Sequence, residues 1–418
     1  MPKLKKLTLM SLLSTGLGSV ALLPGTVVAD DSFYDALTGG KVSFSARLRY
    51  ESVEQDNALK DADAVTLRTT LGYKTGDFHG FGAFLELEDV SDIGGGDYEE
   101  YPQTAVKKYS VIADPDGTEV NQAYLSYNGF DTEIKLGRQE LTYRDAPFHR
   151  FIGNVLWRQN HQSFDAVSLS NSSIKDLKFS YAYINKVNTI FGDDLTAGLI
   201  DDGVIDMDSH LFNVQYSGWS VGKLEAYSYL LDYEDAADNN ANSTATYGLR
   251  LSGAKPVNEN LTAVYTAEYA TQHEYADGKM DPQDYYLLEL GGKYQGWLAK
   301  LSYEVQQGDG AYSFKTPLGT NHAFQGWADV FLTTPDQGLK DTFFTVVGNV
   351  AGAKLIAVYH DFETDKDSLD AGNEFDVMLQ KTFMEHYTLG ISYADYNADK
   401  EFGGVDTDKF WLYGKLNF

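Results

Sequence analysis

Basic and acidic side chains at alternate positions carry the chemistry legible in this chain. Arg47, Arg49 and Glu51 fall on one side of a period-two segment whose other side is Ala46, Leu48 and Tyr50. Arg68, Glu86, Glu88, Lys178, Arg250 and Lys300 sit in segments of the same kind. A further series, Arg138, Arg144, Arg150 and Arg158, runs through one such segment and the polar stretch behind it. A guanidinium offers a planar fork of donors that grips carboxylates bidentately, so a set of them lining a wet passage selects anions. The same arginines could instead pair with Glu86, Glu88, Glu225, Glu268, Glu289, Glu304 and Asp376 and stiffen a wall. Arg138 is counted with the lining set, although Ile134 and Leu136 at period two aim it at the apolar side unless a bulge intervenes.

Other chemistries find less support. The histidines, among them His149, His161, His210, His322, His360 and His386, are scattered, with no Gly-x-Ser-x-Gly elbow and no His-Glu-x-x-His pair. No spacing joins a nucleophile to a base, so the chain is not read as an enzyme. Acidic runs at Asp92, Asp97, Glu99 and Glu100 and at Asp201, Asp202, Asp206 and Asp208 are solvated loop faces or Ca²⁺ ligands; no other cofactor is expected. The net charge of −28 opposes nucleic acid, which needs a basic footprint. The absence of cysteine excludes a lipoprotein anchor, disulfides and thiolate metal sites.

The elements that position these residues are amphipathic strands. Val42, Phe44, Ala46, Leu48 and Tyr50 oppose Ser43, Ser45, Arg47 and Arg49, and the same two-faced pattern recurs at 65–74, 81–88, 177–183, 261–269 and 297–305. The chain ends on such a strand, with Phe410, Leu412, Leu416 and Phe418 on one face and Lys409, Trp411, Tyr413 and Lys415 on the other. Short turns at 75–77, 129–131, 218–220, 295–296 and 350–352 alternate with long polar stretches at 91–118, 144–161, 188–207, 235–243 and 308–339. The 29 Tyr and 23 Phe suit strands and interfacial girdles. Together these patterns predict an all-β fold, a transmembrane antiparallel up-and-down barrel with an even number of strands, about 18, in the outer membrane of a Gram-negative bacterium. Parity requires 323–332 to be loop rather than strand. Its apolar and aromatic residues then predict that 308–339 folds into the barrel mouth as a constriction, burying Phe324, Trp327, Val330 and Phe331 and placing Asn321, His322, Gln325 and Asp329 in the path of solute. At the other end, Lys3, Lys5 and Lys6 precede an apolar stretch from Leu7 to Leu23 and the small-residue run Val27-Val28-Ala29, which predicts a signal peptide over 1–29 and a barrel over 30–418.

Two segments carry a family likeness. Leu136-Gly137-Arg138-Gln139-Glu140-Leu141 leads to Arg150, Gly153-Asn154, Trp157-Arg158-Gln159-Asn160 and Phe164-Asp165, and Thr316-Pro317-Leu318-Gly319-Thr320-Asn321-His322-Ala323-Phe324-Gln325-Gly326-Trp327-Ala328-Asp329 follows later. This pair resembles the alginate-export-type outer-membrane porins. The resemblance implies a monomeric barrel of about 18 strands with an inward loop gating the lumen, passing a hydrophilic solute, anionic or saccharide, of which an anionic oligosaccharide is one example. The partners expected are outer-membrane lipid, that solute and the barrel assembly machinery. The competing expectation is a surface-exposed structural or adhesive barrel with a plugged lumen and cation-binding acidic loops.

Overall fold

The structure, a computed structural model, describes residues 32–102, 106–146, 149–193, 195–234 and 241–418. The segment expected to be a signal peptide, 1–29, lies outside the described residues.

Alternation of apolar and polar residues produces one 18-stranded antiparallel sheet. Its strands are β1 (Lys41–Gln55), β2 (Ala62–Lys74), β3 (Phe81–Asp92), β4 (Gly117–Gly129), β5 (Thr132–Gln139), β6 (Ser163–Asn171), β7 (Leu177–Asn188), β8 (Val204–Tyr216) and β9 (Lys223–Leu231). They continue with β10 (Thr244–Pro256), β11 (Leu261–Glu274), β12 (Gln283–Tyr294), β13 (Trp297–Gln307), β14 (Gly338–Val350), β15 (Ala353–Glu363), β16 (Asp370–Phe383), β17 (Tyr387–Asn397) and β18 (Thr407–Asn417). Each pairs with its neighbours in sequence, and β18 pairs with β1 from Ser45↔Asn417 to Gln55↔Thr407, so the sheet closes and leaves no edge.

Pairing fixes the faces. Leu48 lies opposite Leu67, and Leu290 opposite Leu301, on the outside, where Leu85, Leu301 and Leu412 are all about half exposed, at 48%, 56% and 53%. Arg47 opposite Arg68 and Glu304 opposite Asp341 lie on the inside. An apolar outer face on a closed sheet satisfies a bilayer, because every strand amide is paired and the side chains meeting lipid are hydrocarbon. Residues 323–332 form no strand, as parity required.

Short connections alternate with long ones, and the long end is extracellular in barrels of this type. At the short-turn end a single helical turn, α1 (Phe33–Thr38), is capped by the Ser32 hydroxyl accepting from the Asp35 amide at 3.0 Å. It is held on the outer side of the wall by Tyr73, an outward residue whose hydroxyl bonds the Leu37 carbonyl and accepts from the Gly40 amide.

β5 and β6 are short strands, of 8 and 9 residues, because the chain leaves the wall at Gln139. Residues 140–146 and 149–162 then lie across the lumen. The sequence had marked this stretch only as an external polar loop. Leu141, Phe151 and Ile152 draw it inward, where they join Phe314 and Leu318 of the β13–β14 connection and Tyr227, Tyr229 and Tyr285 of the wall in one buried cluster.

Candidate functional site: two loops crossing the lumen

The β5–β6 connection and the β13–β14 connection (308–337) meet inside the barrel. The Gly153 amide donates to the Leu318 carbonyl at 2.9 Å, and the Gln162 side-chain amide donates to the same carbonyl at 3.1 Å. Above this seam the Trp157 and His322 rings stack, 4.4 Å apart and 5° from parallel. Phe331 packs on Phe362, Tyr396 and Phe402, and Trp327 and Val330 lie partly buried beside it. The aromatic middle of 308–337 is therefore buried against the wall, as its composition required.

Three ionic anchors fasten the crossing. In the first, β1 holds residues 156–158 by their backbone and Gln159 by its side chain. Arg47 donates to Gln159 Oε1 at 2.7 Å and to the carbonyls of Leu156 (2.9 Å) and Arg158, and Arg49 donates to the Trp157 carbonyl at 2.5 Å. Arg158 in turn reaches Glu51 at 3.1 Å and Asp329 at 3.4 Å, and Lys409 meets Asp329 at 2.8 Å. The third long connection, 93–116, contributes Asp114, which pairs with Arg49 and accepts from the Gln159 amide at 2.7 Å. Burial opposes the charge on Arg158, but Glu51 and Asp329 outweigh it and raise its pKa. Burial likewise opposes the Asp329 carboxylate, and Lys409, His322 and Arg158 hold it below the usual carboxylate range.

In the second anchor, Arg144 spans Glu225 (3.1 Å) and Glu268 (2.6 Å), and Arg250 joins Glu268 at 2.8 Å. In the third, fully buried Arg150 donates to Glu304 at 2.5 Å, Gln325 at 2.5 Å and Asn321 at 3.1 Å, with the Phe324 ring 4.5 Å beneath its guanidinium. Between the first two, Arg68 lies 4.0 Å from Glu88, whose other oxygen accepts from the His161 amide at 2.8 Å. His161 also meets Glu140 at 3.2 Å, and Asn154 donates to Glu140 at 2.5 Å. Burial alone would raise the Glu140 carboxyl; His161, Asn121 and Asn154 override it and bring it down to about 2.

The expected site thus divides. Arg47, Arg49, Arg68 and Arg250 face inward on strands and Arg144, Arg150 and Arg158 sit in the crossing, but all are spent on carboxylates, backbone carbonyls or the His161 ring. Of the acids, Glu88 belongs to this framework, whereas Glu86 accepts from Asn121 (2.8 Å) and Gln122 (3.2 Å). Arg138 is not in the lumen. β5 runs without a bulge through Ile134, Leu136 and Arg138, so Arg138 lies outside and pairs with Asp165 at 2.8 Å. Asn321 and Gln325 do not line a path either: both are buried, tied to Arg150, and His322 and Asp329 tie to each other at 2.6 Å. A loop crossing a barrel must replace the hydrogen bonds its backbone and polar groups made with water; these side chains supply many of them, while Arg150 Nε, Asn154 Oδ1 and Trp157 Nε1 are buried without a partner. Among the described residues, no group of three or more histidine or carboxylate side chains is arranged to hold a metal ion.

The sequence placed Lys178 and Lys300 on inward faces but did not join them to the larger lysine set they belong to at the short-turn end. Lys41 and Lys74 face each other across β1 and β2, Lys135 and Lys178 follow on β5 and β7, and Lys223, Lys293, Lys354 and Lys415 complete the inward series with Lys300. Glu133 and Glu289 on the same inward faces pair with Lys135 and Lys300, and the short turns below add Asp77, Asp131, Asp176, Glu259 and Glu385. Period-two parity carried from strand to strand was the signal that could have found them.

No family model and no curated protein matches the sequence. Solved structures do match in fold. Acinetobacter baumannii OccAB4 superposes with a TM-score of 0.69 at 16% identity, over 91% of this chain and 98% of that one. Pseudomonas aeruginosa OpdK, solved with vanillate, gives 0.68 at 12% identity over 91% and 99%, and Pseudomonas aeruginosa OpdL gives 0.65 at 16% over 91% and 99%. These neighbours are outer-membrane porins, not enzymes, and they are of the Occ/Opd kind rather than the alginate-export type suggested by the two sequence segments. The chain has the fold of an outer-membrane porin, a closed antiparallel barrel crossed by inward loops.

Proposed function

We propose that this protein is an outer-membrane channel for small hydrophilic solutes carrying a carboxylate. The observation that carries the reading is the inward lysine series at the short-turn end. Positive side chains that outnumber their acidic neighbours raise the local concentration of anions and make the passage anion-preferring. The crossing above it, braced by buried ion pairs, favours a small solute over a polyuronate chain. OpdK was solved with vanillate, an aromatic carboxylate, and the proposal extends that chemical class, not that compound, to this chain.

Planar bilayers under a salt gradient test it. The reversal potential should report anion preference, and Lys293→Gln with Lys354→Gln should move it toward zero. Cation preference in the unaltered channel would overturn the carboxylate assignment. Silence in bilayers, with the barrel folded, would instead favour a structural or adhesive surface barrel.

A further inference from the structure

The wall beneath residues 326–328 carries more buried acid than it has bases to match. Asp341 on β14, His360 on β15, and Glu374 and Asp376 on β16 face inward side by side and are each at most 3% exposed. His360 Nδ1 lies 2.8 Å from Asp341 Oδ2, and its Nε2 lies 3.6 Å from Asp376 Oδ2. The ring is wedged between Phe343 and Phe362, stacked on both. Asp341 Oδ1, Glu374 Oε2 and Asp376 Oδ1 are buried with no hydrogen-bond partner.

The crossing loop docks on these acids by its backbone. The Ala328 amide donates to Glu374 Oε1 at 2.7 Å, and the Trp327 amide reaches Asp376 Oδ2 at 3.4 Å. Gly326 has φ +88°, and a Cβ there would strike the Glu374 carboxylate. Glycine lets the chain come this close.

The surrounding charges offer no relief. Glu304 on β13 is matched by Arg150, and Asp329 in the loop is matched by Arg158, Lys409 and His322. Three carboxylates therefore share one imidazole. Fully ionised, with His360 protonated, the cluster would hold two unmatched negative charges out of water, which is strongly unfavourable. Glu374 and Asp376 stand two residues apart on one strand face with their carboxyl groups within hydrogen-bonding reach of each other, so that they can share a proton.

We infer that Glu374 and Asp376 form a proton-dependent latch for the crossing loop. With one proton between them and one on His360, a single negative charge remains, and the Trp327 and Ala328 amides meet it. Raising the pH removes the shared proton from the Glu374–Asp376 pair. Two adjacent carboxylates then repel, the 326–328 backbone lets go, and the passage widens. Asp376→Asn puts a neutral amide where the shared acid was and keeps the latch closed.

Hydrogen exchange of the 326–328 amides, in the refolded full barrel and divided by the intrinsic exchange rate, reads the latch directly. Release coupled to loss of one proton lowers protection about tenfold per pH unit once the proton leaves. A fall between pH 7 and 9 that Asp376→Asn abolishes supports the latch, and Glu374→Gln, which keeps an acceptor for Ala328, should behave alike. Unchanged protection, or a fall that persists in both variants, overturns it. Channel conductance should rise over the same range. That arm alone rests on the channel reading: exchange that responds while bilayers stay silent upholds the latch and rejects the channel.

Discussion

Arg150 shows what a buried guanidinium does when it is not available to solute. Its partners are Glu304, Gln325 and Asn321, none in contact with bulk water. Arg150→Gln leaves Glu304 buried and unmatched, which should cost about 3–5 kcal/mol of stability. Urea unfolding followed by the shift in gel mobility between folded and unfolded barrel would measure it. Arg138→Gln, on the outer wall beside half-exposed Asp165, should cost less than about 1 kcal/mol and leave ion preference unchanged. Glu140 supplies a pH test at the same scale. Its folded pKa lies below its ordinary value, near 2, so its stabilisation is complete above about 4.3 and fades as the pH falls through the folded value. Unfolding midpoints compared at pH 6 and pH 3 should show a loss that Glu140→Gln diminishes. The sequence showed that such arginines and acids alternate, yet whether an arginine is bound or free depends on loop paths that periodicity does not encode.

Strands and loops differed in how readable they were. A strand announces its faces because each side chain meets either lipid or lumen, and Leu301 and Leu412 are where parity placed them. Leu301→Arg should therefore cost about 2–4 kcal/mol, against little for a change at inward, exposed Lys293, in the same unfolding assay. Residues 140–162 hid their course because their apolar anchors, Leu141, Phe151 and Ile152, sit irregularly among arginines, and only the tertiary cluster gives them a common side. The 308–337 connection was legible as an inward loop through Phe324, Trp327, Val330 and Phe331, but the roles of Asn321 and Gln325 were reversed: they hold the loop instead of meeting solute. Deleting 320–332 should raise conductance while the barrel still assembles, since the strand pairing β13–β14 does not depend on it. Deletion without a change in conductance would place the narrowest point in the 140–162 segment alone.

At the scale of the whole molecule, closure through β1 and β18 and the even strand count follow from alternation and turn length, both of which a sequence displays. Charge along the barrel axis is less visible, because a net charge of −28 averages over two unlike ends. The loops of the long-loop end carry Asp365, Asp367, Asp399, Glu401 and Asp406, while the inward faces at the short-turn end carry the lysines. Screening over about 8 Å at physiological salt keeps each end's field local. A passage negative at one mouth and positive at the other is an ionic analogue of a junction diode. Ions driven one way accumulate between the two fields, and driven the other way are depleted from it. The current–voltage curve of a single barrel should therefore rectify, more steeply at low salt than at high, and the sign of that rectification should report which way round the molecule sits in the membrane.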